Sequence, residues 1–166
     1  MAKKRRVFEQ GHRRKMMVVV DESPEVEGAL FYAACRASHT GAHVLLLYVI
    51  EPDNQVWDAV RQAQLEEQST KAKALFRLFR RKLSNDGLDM VPIEEVIREG
   101  KKVDAILQQI DEDEDIAILV LGASKEATGP GPLVASLGAG STAGKFPIPI
   151  TIVPGDLVIE DIRALA

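Results

Sequence analysis

Ile116 to Leu121 is a short, unbroken apolar run that ends on Gly122. A run of this length, bounded by turn signals, fits a strand buried on both faces better than it fits a helix. A strand covered on both faces needs a layer above it and another below. Three other runs have the same character. Met16 to Val20 ends on Asp21, Ala42 to Ile50 is continuous, and Ile148 to Val153 is β-branched and bracketed by Pro147 and Pro154. Met90 to Arg98 is more polar and contains Pro92, so it belongs near an edge.

Helical patterns separate these runs. Ser23-Pro24 reads as an N-cap followed by a first helical residue, and Thr40-Gly41 as the stop. Val26, Leu30, Ala33, Ala34 and Ala37 form the apolar stripe between them. Gln55 to Leu83 is a long amphipathic helix with Val56, Val60, Leu65, Leu75, Phe76, Leu78, Phe79 and Leu83 as apolar positions. Glu66 to Lys73 is a polar interruption that leaves it broken or solvent-exposed there. A helix over Val103 to Asp111 turns Val103, Ile106, Leu107 and Ile110 inward, and Leu133 to Phe146 is a glycine-rich helix or loop. Strand and helix thus alternate, which calls for one parallel α/β sheet, doubly wound, with helices on both faces and right-handed crossovers.

Charge and motifs remove several classes of function. The net charge of −4 argues against general affinity for nucleic acid. Residues 1–14 are strongly basic and read as a solvated, disordered arm, and no apolar stretch approaches the ~20 residues of a membrane span. The start carries no apolar run that would make it a secretory leader. Cys35 stands alone in an apolar helical pattern, as a small core residue in a chain suited to the reducing cytoplasm. His12, His39 and His43 have no metal-ligand spacing, and no nucleophile elbow surrounds Ser124. Gly138 to Lys145 resembles a phosphate loop in letters only: Ala139 stands where a Walker loop needs glycine and Phe146 where it needs Ser or Thr. In an open parallel sheet the ligand site lies beyond the carboxyl ends of the strands, so the loop opening at Gly122 is the place to look.

The order of these pieces resembles the universal stress protein family. M-V-V-V-D-E-S-P-E leading to a helix and G-A-H-V-L-L-L-Y-V-I matches the family's start. E-G-K-K-V-D-A-I-L-Q-Q-I before I-A-I-L-V-L-G-A-S, and the closing F-P-I-P-I-T-I-V-P, match its second half. The resemblance implies a five-stranded parallel sheet of order 3-2-1-4-5 over residues 15–155, with 156–166 as a tail. It also implies ATP or AMP as cofactor, in a cleft between the first and fourth strands. Carried over by position, Asp21 meets the adenine, with Val19 and Leu121 lining the pocket and the Val49 backbone pairing with the base. The phosphate motif, G-x2-G-x9-G-[S/T], begins at Gly122 and runs past Ser124. Its second glycine is Lys125, its third is Ala135, and Ser136 follows.

Lysine and alanine cannot reproduce a glycine cradle that brings backbone N–H groups close to phosphate. Two readings therefore stay open. One is a regulatory module that holds an adenine nucleotide and acts through a protein partner. The other is an interaction protein of the same fold that works by dimer contacts alone. Turnover as an ATPase lacks a general base or metal-binding carboxylate pair beyond Asp21. In the implied strand order residues 148–153 form an apolar edge, which is the expected homodimer contact.

Overall fold

The computed structural model describes residues 3–166. Five strands, β1 (Lys15–Val19), β2 (His43–Ile50), β3 (Ile93–Glu99), β4 (Ile116–Ala123) and β5 (Ile150–Pro154), form one sheet. Every neighbouring pair is parallel and the order is β3-β2-β1-β4-β5. The helices are α1 (Glu25–Thr40), α2 (Asp58–Asn85), α3 (Lys102–Glu112) and α4 (Ile159–Leu165). Between β4 and β5 the chain makes only a π-helical turn, Val134–Gly138, and a short 3₁₀ turn, Ala143–Lys145.

Successive residues of a strand point to opposite faces, and here both faces are dry. Val18, Val20, Leu46 and Val120 pack with α1, with Phe76, Phe79 and Leu83 of α2, and with Ile162 of α4. Met17, Val19, Leu45, Leu47, Leu119 and Leu121 pack with Ile106 and Ile110 of α3 and with Val134 and Leu137. Serving two cores at once is why β1, β2 and β4 read as unbroken apolar runs. Cys35 is a buried free thiol in the first core.

Several local expectations need correction. Ser23 does not cap α1: its hydroxyl and its N–H both donate to the Asp21 carboxylate, and Pro24 occupies the cap position with no side-chain bond. Donation to the charged acceptor holds the Ser23 side chain turned back toward Asp21. Gly41 closes α1 as expected, at φ 72°. Helix α2 is unbroken but starts at Asp58, and Val60 and Leu78 are exposed. Its burial comes from Ala72, Phe76, Phe79 and Leu83, so the C-terminal half docks it and the rest projects along the surface. Leu107 of α3 is also exposed, while Ile106 and Ile110 are fully buried.

Residues 3–14 do not behave as a solvated arm, and the part of that expectation falling on Met1 and Ala2 lies outside the described residues. Arg5 donates to the carbonyls of Ile110, Asp113 and Ile116 at 2.8, 2.9 and 3.3 Å. It thereby supplies donors at the C-terminal end of α3, where carbonyls lack helical partners and a cation is favoured. His12 lies 2.6 Å from Asp115, and Lys15 pairs with Asp113 and Glu94 at 2.7 and 2.9 Å. Partial burial pushes the Asp115 carboxyl up, but the bonds from His12 and the Arg13 N–H more than offset it and leave it below the usual carboxylate range. The basic start is thus held by the acidic run between α3 and β4. The tail is ordered as well: α4 lays Ile162 into the core beside α1, and the Arg163 guanidinium sits 5.0 Å from the centre of the Phe31 ring.

Candidate functional site

β1 leads to α1 on one face of the sheet, and β4 leads to the Val134–Gly138 turn on the other. The connections part at the carboxyl ends of these neighbouring strands, which is where open parallel sheets bind ligands. A cleft of about 50 Å³ lies there, lined by Val19, Asp21, Ser23, Glu25, Lys102, Leu121, Gly122 and Pro130 to Val134.

Asp21 extends from the end of β1. One carboxylate oxygen accepts the Ser23 N–H at 2.8 Å and the Ser23 hydroxyl at 2.5 Å. The other lies 3.8 Å from the Lys102 ammonium, brought in by the first turn of α3. The Lys102 N–H also donates to the Glu51 carboxylate at 3.3 Å, which ties α3 to the end of β2. Gly122 forms the opposite wall. A Cβ there would stand 2.2 Å from the carbonyl oxygen of Glu25, so the first turn of α1 sits directly on the backbone of β4. The Glu25 side chain continues across the cleft, and its Oε1 lies 3.7 Å from where a Cβ on Gly131 would be. Burial pushes the nearby Tyr48 phenol up, and the carboxylates of Glu22 and Asp21 push the same way.

Of the residues expected at the site, Val19, Asp21, Leu121 and Gly122 meet in this cleft. Val49 borders a separate hollow of about 390 Å³ with Ile50, Glu51, Arg61 and Gln68. The Ser124 N–H donates to the Pro130 carbonyl, closing residues 124–130 into a loop. That loop lies against the start of the tail: a Cβ on Gly155 would be 3.0 Å from the Lys125 nitrogen. Lys125, Ala135 and Ser136 are exposed and line none of this cleft. The far wall is instead Pro130 to Val134, which returns to the sheet through Gly129 at φ 125° and Gly131 at φ 101°, a conformation glycine adopts at little cost.

Glu25, Lys102 and the Pro130–Val134 wall were not evident from the sequence as site residues. Lys102 was visible only as one of two lysines after Gly100, with nothing to say that it reaches Asp21. The cleft is well below the ~300–1,000 Å³ of ordinary ligand pockets. A ligand the size of a nucleotide would require the wall at Pro130 to Val134 to move outward. A larger hollow, about 430 Å³, lies on the other side of Glu25, between α1 and the tail from Pro154 to Ile162. It is away from the junction of β1 and β4, so size alone does not make it the site.

A family model described as the universal stress protein family matches residues 12–154. Among solved structures, a universal stress protein UspA from Lactobacillus plantarum is 20% identical at a TM-score of 0.69, with 84% of this chain and 97% of that one covered. A universal stress protein from Archaeoglobus fulgidus is 22% identical at a TM-score of 0.62, with 89% and 99% covered. A family protein from Arabidopsis thaliana, solved with AMP bound, is 19% identical at a TM-score of 0.53, with 85% and 91% covered. No match is found among curated proteins. At these identities the structural likenesses establish the α/β fold.

Proposed function

This chain belongs to the universal stress protein family, and from that premise we propose that it is a non-catalytic regulatory module holding an adenine nucleotide, with the base near Asp21 and the phosphate side toward Gly122. The observation that carries the reading is the meeting of Asp21 and Gly122 in one cleft at the junction of β1 and β4. The AMP held by the Arabidopsis thaliana protein supports it by analogy of fold. The protein acts in the cytoplasm, through a protein partner and as a homodimer joined at β5. A single buried thiol suits a reducing compartment. No described helix is long and apolar enough to cross a membrane.

Calorimetric titration with AMP tests the site. The parent protein is expected to bind, and Asp21→Ala to bind at least about tenfold more weakly, the size of effect that follows from losing one hydrogen bond to a charged group. Unchanged affinity in the variant would remove Asp21 from the site.

The second reading, an interaction protein of the same fold without a nucleotide, draws on the closed cleft and on the outward placement of Lys125, Ala135 and Ser136. Absence of measurable binding by the parent would favour it.

A further inference from the structure

We infer that the cleft selects adenine ligands with little phosphate, a nucleoside or nucleoside monophosphate over a triphosphate, and that Glu25 is the residue that sets this preference. The inference rests on the nucleotide-site reading above and concerns the distribution of charge within that site.

A polyphosphate site needs cations or converging backbone N–H groups where the phosphates lie. Here the arrangement is reversed. The cation lining the cleft, Lys102, stands 3.8 Å from Asp21, at the base end. At the Gly122 end the charged side chain is the Glu25 carboxylate, which projects toward Gly131 and has no ionic partner among the described residues. Lys125, the cation that the sequence places in the phosphate motif, is exposed on the loop beside Gly155 and does not offset it. The glycine positions of that motif, at Lys125 and Ala135, contribute nothing to the cleft wall.

An acidic residue in the first turn of a helix is ordinarily explained by the helix dipole, and Glu27 shares that turn. Their surroundings separate the two. Glu27 turns away and pairs with Lys82 of α2 at 2.9 Å, whereas Glu25 lines the cleft. The backbone of Glu25 is also fixed against Gly122, where a Cβ would approach its carbonyl to 2.2 Å, so its side chain cannot leave with a small shift of α1. Each added phosphate would bring negative charge closer to this carboxylate, and affinity should fall from AMP through ADP to ATP.

Equilibrium dialysis with adenosine, AMP, ADP and ATP, at fixed ionic strength and without divalent metal, tests this on the full chain. The parent is expected to bind adenosine and AMP at least about tenfold more tightly than ATP, the scale of one close charge repulsion. Glu25→Gln should bring the affinities for ATP and adenosine closer together by about fivefold or more, with a thermal unfolding midpoint like the parent's reporting that the variant is folded. Glu27→Gln removes the same charge from the same helical turn and should leave the ratio as in the parent. Equal or tighter ATP binding by the parent would overturn the inference alone. So would a ratio untouched by Glu25→Gln, or one moved equally by Glu27→Gln, which would make the effect diffuse. Failure of all the adenine ligands to bind would overturn the site reading, and this inference with it.

Discussion

Gly122→Ala is expected to lower stability by roughly 3 kcal/mol, toward the upper end of what inserting a methyl into a packed site costs. The reason is a close approach and not a special conformation, since Gly122 is not among the positive-φ glycines. A Cβ at this position would lie 2.2 Å from the Glu25 carbonyl oxygen, 2.8 Å from its carbonyl carbon and 3.0 Å from its Cβ. Two of these are backbone atoms, so relief requires the start of α1 to move off the sheet. That start is pinned by Val26, Ala29 and Leu30, all buried in the first core. The midpoint of thermal unfolding should fall by roughly 6–12 °C, at about 2–4 °C per kcal/mol for a chain of this size. Ala in place of Gly144, where an added Cβ meets nothing within 4 Å, should change it little. An unaltered midpoint in Gly122→Ala would show that α1 does not sit on β4 as described.

Ile152→Lys should convert a dimer into a monomer, weakening self-association by at least about a hundredfold, or near 2.8 kcal/mol. β5 is an edge strand, paired only with β4. The opposite edge, β3, carries Glu94, Glu95, Arg98 and Glu99, charges that discourage pairing with another chain. β5 carries none within Ile150–Pro154, and Ile152 is 39% exposed. The tail does not cover the exposed edge through α4, which packs on α1 instead. Two copies related by a two-fold axis would each present the same short strand, with Pro149 and Pro154 limiting the pairing to its middle. In a contact centred near Thr151, a lysine at 152 would meet the apolar edge of the other copy and lose hydration without gaining a counter-ion. Sedimentation velocity at micromolar concentration reads this directly. A monomeric parent, or a dimer that survives the substitution, would count against this contact.

How much of this was legible in the sequence follows from where the information lies. β1, β2 and β4 could be read because burial on both faces removes polar residues from every position, and the parallel order follows from the helices between them. The edge character of β3 was plain from its polarity and Pro92, whereas β5 is apolar between prolines and its edge place came only with the strand order that the family resemblance implies. Surface helices were harder: Val60 and Leu78 fit the apolar period of α2, yet both are exposed, and its buried positions are Ala72, Phe76, Phe79 and Leu83. The site was half legible. Asp21 and Gly122 end their strands, so their place follows from topology. Lys125 and Ala135 keep the motif's spacing, but residues 124–130 close on themselves and carry the chain elsewhere. Glu25 reaches the cleft because Gly122 lets α1 approach. The hold of Arg5 on three backbone carbonyls likewise leaves no trace in side-chain letters.

An adenine ligand is expected to bind at the junction of β1 and β4. The measurement that tests it most directly is the mapping of backbone amide shifts by NMR while AMP is titrated into the parent protein. Saturable shifts are expected at Asp21, Ser23, Gly122 and Gly131 and along Leu133 to Val134, with Lys125 and Ser136 unmoved. Shifts centred on the hollow between Pro154 and Ile162, or none at any amide, would contradict it.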